Sequence, residues 1–358
     1  MKKIKLFIVD DSAIVRQTIS RLVENEPDIE LLGVAADPVF AMHKFKSTGI
    51  PDVLILDIEM PRMDGITFLK QIMSEQPIAT IICSAVAKSG NSKAIEALKA
   101  GAVELIEKPN VQTKLFLEQS KENLIRSIKS ASMAKVRKIN KDISKSKLNN
   151  YEKIKSTDSI LSQKSHQPLA GGNKVIAIGS STGGVQVIEK ILTSLPANTV
   201  PIMITQHMPA GFTASLAKRL ETICKINVKQ AEDGEELKLS TAYIAAGDNH
   251  MLIERVGKKY IIKIKQGPKV SHHRPSVDVL FRSFANELGK NGTGIILTGM
   301  GSDGSRGMKE MFDVGAKTYA QDEKSCIVYG MPNEAVKLGG VTKSLSINKI
   351  IELIISIK

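Results

Sequence analysis

The chain has 358 residues, which is enough for two or three domains with buried cores. Its 42% hydrophobic and 24% charged residues are typical of a globular protein, and no apolar run reaches the length of a membrane helix, so we expect no membrane insertion. The cysteines are far apart and lack metal-ligand spacing, which predicts a reduced, cytoplasmic protein: they are Cys83, Cys224 and Cys326.

The net charge of +13 raises the alternative of a DNA-binding output domain. Eleven basic residues but only three acidic ones lie between 121 and 155, so most of the excess charge is local. The chain has no tryptophan and only 4% aromatic residues, which gives little support for stacking on bases. We therefore expect no specific nucleic-acid binding.

Residues 1–130 are predicted to form a first domain. Short apolar runs alternate there with amphipathic helical patterns, and five such β-α units predict a doubly wound parallel sheet. The predicted strands are Leu6–Val9, Glu30–Ala35, Val53–Leu56, Ile78–Cys83 and Val103–Ile106. Ligands of such sheets bind beyond the carboxyl ends of the strands.

Five polar side chains follow these strands at one predicted edge: Asp10, Asp11, Asp57, Ser84 and Lys108. The three carboxylates suit a hard divalent cation such as Mg2+. With its charge masked by the metal, Asp57 can attack a phosphoryl donor, and Ser84 and Lys108 can then contact the phosphoryl oxygens. The alternative for any single aspartate is a helix cap.

Three motifs in this domain are distinctive: Val-Asp-Asp-Ser at 9–12, Leu-Asp-Ile-Glu-Met-Pro-Arg-Met-Asp-Gly at 56–65 and Lys-Pro at 108–109. On these motifs the domain resembles a two-component receiver domain. The resemblance implies that Asp57 accepts a phosphoryl group from a histidine kinase and that the Glu59 carbonyl completes the Mg2+ site. Leu105 stands where receivers often carry Tyr or Phe, which favours a hydroxyl switch at Ser84 over an aromatic relay.

Residues 131–170 are predicted to form a basic flexible linker. They are rich in Lys, Ser, Asn and Gln and poor in apolar residues, so they cannot bury enough surface to fold alone.

Residues 171–358 are predicted to form a second, Rossmann-like α/β domain with a parallel sheet. Apolar runs again alternate with helical patterns, and a hairpin is predicted around Met251–Lys265. The other predicted strands are Val175–Ile178, Pro201–Thr205, Ile226–Lys229 and Gly294–Leu297.

Ser181 lies in Gly-Ser-Ser-Thr-Gly at 179–183, directly after the first of these strands. The spacing is that of a nucleophile elbow, in which a sharp strand-to-helix turn exposes a serine to a substrate carbonyl. The alternative is a phosphate-binding turn, although the segment lacks G-x-G-x-x-G and a P-loop lysine. Ser180 is a second hydroxyl in the same turn.

A nucleophilic serine needs a base, and the base needs an orienting acid. His207 and Asp303 each follow a predicted strand, so they are expected at the same sheet edge as Ser181. Asp278 is the rival acid, but it is predicted to lie inside a helix after Pro275. The remaining alternative is a metal hydrolase that uses histidines, although His272-His273 has no second spaced ligand pair and is more typical of a surface loop.

The second domain carries five further motifs: Ile-Gly-Ser-Ser-Thr-Gly-Gly at 178–184, Gln-His-Met-Pro at 206–209, Arg-Pro-Ser-Val-Asp-Val-Leu-Phe at 274–281, Thr-Gly-Met-Gly-Ser-Asp-Gly at 298–304 and Gly-Met-Pro at 330–332. On these motifs it resembles the chemotaxis protein-glutamate methylesterases.

This resemblance implies a nucleophile at Ser181, a base at His207, an orienting acid at Asp303 and an oxyanion donor at the Met300 N–H. It also implies hydrolysis of glutamate methyl esters and deamidation of glutamines on methyl-accepting chemotaxis receptors. No cofactor is expected in this domain, and phosphorylation of the receiver is expected to activate it.

Overall fold

The computed structural model describes residues 3–85, 90–109, 114–136, 156–164 and 174–357. The chain divides into two compact units, Met1–Lys145 and Ser146–Lys358. No helix in the described ranges is long and apolar enough to cross a membrane.

The first unit contains a five-stranded parallel sheet with the order β2-β1-β3-β4-β5. Its strands are β1 Ile4–Val9, β2 Ile29–Ala35, β3 Val53–Leu56, β4 Ala79–Ser84 and β5 Glu104–Glu107. Its helices are α1 Ala13–Val23, α2 Pro38–Thr48, α3 Gly65–Glu75, α4 Gly90–Lys99 and α5 Lys114–Ser132. All five predicted strands are confirmed to within two residues at each end.

The central strands of this unit are apolar at every position because both faces of the sheet are covered. Residues Leu6–Val9 and Val53–Leu56 are all fully buried. Such continuous apolar runs are expected of parallel strands covered on both faces. The strand order reverses between β1 and β3, so a cleft opens where Asp10 and Asp57 end their strands.

The second unit is built around a seven-stranded parallel sheet with the order β14-β13-β12-β6-β7-β9-β8. Its strands are β6 Val175–Ser180, β7 Ile202–Gln206, β8 Asn227–Gln230, β9 Thr241–Ile244, β12 Gly292–Ile296, β13 Lys317–Gln321 and β14 Lys343–Leu345. Its helices are α6 Gly184–Thr193, α7 Ala210–Ile223, α8 Val277–Glu287, α9 Ser305–Asp313, α10 Met331–Lys337 and α11 Ile347–Ser356.

An antiparallel hairpin stands apart from this sheet, as the sequence predicts. It consists of β10 His250–Val256 and β11 Lys259–Lys265. Its apolar residues share one core with α8, including Met251, Ile262, Phe281 and Phe284. The hairpin therefore supports the helix whose first turn reaches the candidate site.

The sequence analysis does not predict three strands of this sheet. β13 reads Lys-Thr-Tyr-Ala-Gln and β14 reads Lys-Ser-Leu, and β14 forms one edge of the sheet. Neither is a continuous apolar run, so neither stands out from a loop by composition. β9 is fully buried but only four residues long, and short runs give weak periodicity signals.

A short segment inside the predicted linker, residues 156–164, packs against the second unit. Its Ile160 and Leu161 contact a small apolar cluster that includes Val279 of α8. Asp158 accepts a hydrogen bond of 2.5 Å from Arg282 of the same helix. This segment thus differs from a flexible linker, because an ion pair and two apolar side chains hold it. Residues 137–155 and 165–173 lie outside the described ranges.

Candidate functional site

Ser181 stands on a tight turn between β6 and α6. Gly183 adopts the left-handed conformation, with φ of 74°, and begins the helix at the next residue. The Ser181 amide donates to the Thr298 carbonyl at 3.0 Å, and its carbonyl accepts from the Gly184 amide at 2.8 Å. The backbone of the turn is therefore held from two sides, and the predicted elbow is formed.

The two neighbouring serines differ in environment. Ser180 is fully buried, and its hydroxyl donates to the Gln206 side-chain carbonyl at 2.6 Å. Ser181 retains partial exposure at the apex of the turn. Of the two hydroxyls, only that of Ser181 combines the apex position with access to solvent.

Gln206 locks the elbow to the next strand, a role that the sequence analysis misses. Its side-chain amide donates to the Ser181 carbonyl at 3.0 Å and to the His207 carbonyl at 2.9 Å. The signal lies in the Gln-His pair at a strand end, but a glutamine beside a histidine has no distinctive spacing. The clamp becomes visible only when β6 and β7 pair, with Ser180 opposite Gln206.

His207 follows β7 and hydrogen-bonds to Asp303. The distance between His207 Nε2 and Asp303 Oδ2 is 2.8 Å, and the histidine side chain is only 8% exposed. His207 Nδ1 is buried and accepts no hydrogen bond from the described residues. With Nε2–H donating to the carboxylate, Nδ1 carries the lone pair and is the basic nitrogen.

Asp303 lies against the N-terminus of α8. Its carboxylate accepts from the Ser276 hydroxyl at 2.7 Å and from the amides of Val277 and Asp278 at 2.8 and 3.0 Å. These amides are the unpaired N–H groups of a helix N-terminus, where the helix dipole favours a negative charge. A helix N-terminus and a hydroxyl therefore both donate to the Asp303 carboxylate that lies beside His207.

Asp278, the rival acid, does not bond His207. It lies in the first turn of α8, as predicted, and is fully buried. Its carboxyl accepts from the Gly307 amide and from the Ser271 hydroxyl, both at 2.9 Å. Burial, followed by the adjacent charge of Asp303, raises the pKa of Asp278 to about 7.

The other histidines of this unit have different environments. His250 is fully buried; its Nε2 donates to the Pro268 carbonyl at 3.0 Å and its Nδ1 accepts from the Ser276 amide at 3.2 Å. Burial lowers the pKa of His250 and keeps it neutral. The His273 ring stacks on the His207 ring, with centroids 3.6 Å apart and planes 5° from parallel. His273 is therefore part of the site, which the predicted surface loop does not anticipate.

The loop after β12 passes directly against Ser181. A Cβ atom on Gly299 would lie 2.7 Å from Ser181 Cβ, so glycine is required there. Gly301 has φ of 86°, and within the described residues no hydrogen bond uses the Met300 amide. This geometry agrees with the predicted oxyanion donor.

In the first unit, the predicted polar cluster assembles at the edge of the sheet. Lys108 Nζ lies 2.7 Å from Asp57 Oδ2 and 3.0 Å from Asp10 Oδ2. Carboxylate oxygens of Asp10, Asp11 and Asp57 all lie within 4.8 Å of one another. Ser84 is buried at the end of β4, and its carbonyl accepts from the Lys108 amide at 3.0 Å.

The acidic cluster fits a divalent cation. Burial raises the pKa of Asp57 and of Asp10, whereas Lys108 lowers both. The net shift of each pKa is upward, so one lysine does not fully compensate the buried negative charge. Three hard oxygen donors, one of them on the exposed Asp11, match the ligands that Mg2+ prefers. Among the described residues this is the one such group of three acidic, histidine or cysteine ligands, so the alternative of a histidine metal centre has no support there.

Comparison with known proteins agrees with this two-unit architecture. The response regulator receiver domain model matches residues 6–118, and the CheB methylesterase model matches residues 176–354. The catalytic domain of the CheB methylesterase from Thermotoga maritima is 38% identical, covers 52% of this chain and all of that one, and has a TM-score of 0.51.

Two curated relatives match over almost the whole chain. Both are named protein-glutamate methylesterase/protein-glutamine glutaminase 3. The protein from Geobacter metallireducens is 49% identical over 98% of both chains, and that from Shewanella oneidensis is 49% identical over 99% of both. The chain therefore belongs to the CheB methylesterase family, with a response regulator receiver domain preceding the methylesterase domain.

Proposed function

We propose that this protein removes methyl esters from glutamate side chains of methyl-accepting chemotaxis receptors, deamidates specific receptor glutamines, and is activated by phosphorylation of its receiver. The observation that carries the proposal is the 2.8 Å hydrogen bond between His207 and Asp303 at the sheet edge that also presents Ser181. The two curated relatives that match over almost the whole chain carry the same name, which supports glutamate methyl esters and glutamines as the substrates.

The first chemical step forms an acyl-enzyme. Ser181 Oγ attacks the ester carbonyl while His207 Nδ1 takes the hydroxyl proton. Asp303 stabilises the resulting imidazolium through its hydrogen bond, and the Ser276 hydroxyl and two amides of α8 hold its carboxylate in place. The Met300 N–H donates to the oxyanion of the tetrahedral intermediate.

The second step regenerates the enzyme. Collapse of the intermediate breaks the C–O bond, and His207 returns its proton to the departing methanol. Water then attacks the acyl-enzyme while His207 accepts its proton. The bond to Ser181 Oγ breaks, His207 returns the proton to that oxygen, and the product is the glutamate side-chain acid, which ionises to the carboxylate. A glutamine side chain follows the same route with ammonia as the leaving group, so both activities use one site.

The receiver supplies the control. Asp57 accepts the phosphoryl group, with a chemotaxis histidine kinase as the donor. Asp10, Asp11 and Asp57 would hold Mg2+, which would supply positive charge between the carboxylate and the incoming phosphoryl group. Lys108 already contacts Asp57 and is positioned to pair with a phosphoryl oxygen, while the Ser84 hydroxyl is the second group placed to respond.

The proposed substrate and phosphoryl donor both support a cytoplasmic location for the protein. The direct test is methanol release from methylated receptor membranes, with and without a phosphoryl donor. We expect release by the wild type, faster with the donor, and none by S181A. Membranes that lose no methanol to the wild type in either condition would refute the proposal.

A further inference from the structure

Asp278 is a buried acid that the reaction above does not use. It is fully buried at the start of α8, next to the carboxylate of Asp303. Asp303 has four hydrogen-bond donors, one of them His207, whereas Asp278 has two, the Gly307 amide and the Ser271 hydroxyl. Hydrogen-bond donors stabilise a carboxylate charge, so Asp303, with more donors, is the member of the pair better suited to hold it.

Two adjacent buried carboxylates do not both ionise, because each raises the cost of charging the other. Arg282 of α8 does not neutralise this carboxyl pair, because its guanidinium pairs with Glu310 of α9, at 2.8 Å, and with Asp158. His207 and His250 face Asp303 rather than Asp278: one bonds its carboxylate, and the other accepts from the amide of Ser276. The proton of the carboxyl pair thus belongs on Asp278.

Through its hydrogen bond with Ser271, Asp278 also contacts the loop that carries His273. Ser271, which donates to Asp278, and His272 both have left-handed backbones, with φ of 50° and 68°. Consecutive non-glycine residues in this region are costly and persist only where other contacts hold them. The residue that follows them is His273, whose ring stacks on His207 at 3.6 Å.

We propose that Asp278 is a positioning residue of the esterase: a neutral carboxyl group that donates to Asp303 and accepts from Ser271, and so holds both the carboxylate and the stacked ring that contact His207. The inference rests on the proposed role of His207 as the base. A fifth donor on Asp303 further fixes the orientation of the carboxylate toward His207.

The pH dependence follows from the raised pKa of about 7. Below that pH Asp278 is neutral and donates. As the pH rises through about 7, its ionisation removes the donor and places a second negative charge beside Asp303. An acid whose pKa is raised by folding also loses its stabilising contribution as the pH rises through the folded value. The stability of the wild type therefore declines between the ordinary carboxyl pKa of 3.8 and the raised pKa of about 7, and that of D278N declines less.

The test uses the full-length protein and a fluorophosphonate probe, which reacts with an activated serine whatever the natural substrate. We expect D278A to slow labelling of Ser181 by about 10- to 100-fold through misplacement of the base, with an equal fall in kcat for methanol release and little change in KM. D278N keeps a neutral donor, so its labelling rate is expected within about threefold of the wild type near neutral pH. Its rate relative to the wild type is expected to rise above about pH 7.

V279A is the matched control. Val279 is the next buried residue of α8 and packs in a cluster with Leu252, Val270 and the 156–164 segment, so its truncation destabilises the helix while the hydrogen-bonding groups of Asp278 and Ser271 remain. Equal slowing by D278N and D278A would overturn the inference, as would wild-type labelling by D278A or equal slowing by V279A. If D278A does not fold, the test is the pH profile of the labelling rate of D278N. A D278N profile identical to that of the wild type would overturn the inference. A wild type that the probe does not label would overturn the proposed function, and this inference with it.

Discussion

The receiver site and the esterase site stand at the same place in two similar sheets but compensate buried negative charge in different ways. In the receiver, Asp10 and Asp57 share one lysine and retain raised pKa values, so the cluster gains from an added cation. In the esterase, Asp303 is held by a helix N-terminus, a hydroxyl and His207. The first site depends on an exchangeable ion and suits a switch, whereas the second is preorganised and suits catalysis.

The strongest test of the preorganised site is S181A, which removes the nucleophile while leaving Gln206 and the backbone of the elbow in place. We expect hydrolysis of receptor methyl esters to fall about a million-fold. The matched control is S180A, which removes only a buried hydrogen bond to Gln206, costs about 1 kcal/mol of stability and leaves an active enzyme. Loss of activity in S180A, with S181A still active, would move the nucleophile by one residue.

The next largest effects are expected at His207 and Asp303, the proposed base and the acid that orients it. H207A should be nearly as damaging as S181A because it removes the proposed base, and D303N should lower kcat by about 10,000-fold through loss of the charge that stabilises the imidazolium. Steady-state kinetics of methanol release measure both. If D278N were crippling and D303N harmless, the assignment of the acid would be wrong.

The switch site is tested by D57N. We expect this variant to keep basal esterase activity and to lose the activation by a phosphoryl donor, an effect of about 5- to 150-fold in the wild type. Removal of Mg2+ by a chelator should abolish activation in the same way, because the carboxylate cluster then keeps its uncompensated charge. Activation of D57N by the donor to the wild-type level would exclude Asp57 as the phospho-acceptor.

Truncation separates inhibition by the receiver from support by the 156–164 segment. Deletion of residues 1–155 is expected to raise basal activity above that of the unphosphorylated chain, and a truncated enzyme no faster than the intact one would contradict inhibition by the receiver. Deletion of residues 1–165 also removes the contacts that Asp158, Ile160 and Leu161 make with α8. We expect it to lower the free energy of unfolding by a further amount of about 1–3 kcal/mol, measured by urea denaturation.

The sequence by itself determined the fold class and the chemistry of each site. Period-2 and period-3.6 patterns, together with small polar motifs at strand ends, were sufficient to predict two parallel α/β sheets and to bring Ser181, His207 and Asp303 to one edge. Parallel strands align their carboxyl ends, so residues as far apart in the chain as His207 and Asp303 become neighbours once strand order is known. Strands without an apolar run, such as β13 and β14, gave no comparable signal.

Only the tertiary structure shows which nitrogen of His207, which serine and which acid make the contacts that each proposed role requires. The choice of Ser181 over Ser180 depends on the Gln206 clamp, and the choice of Asp303 over Asp278 depends on the His207 hydrogen bond. The stacking of His273 on His207 depends on a loop held in two left-handed conformations. These contacts join residues from different elements at distances set by packing, and no local pattern in the chain encodes them.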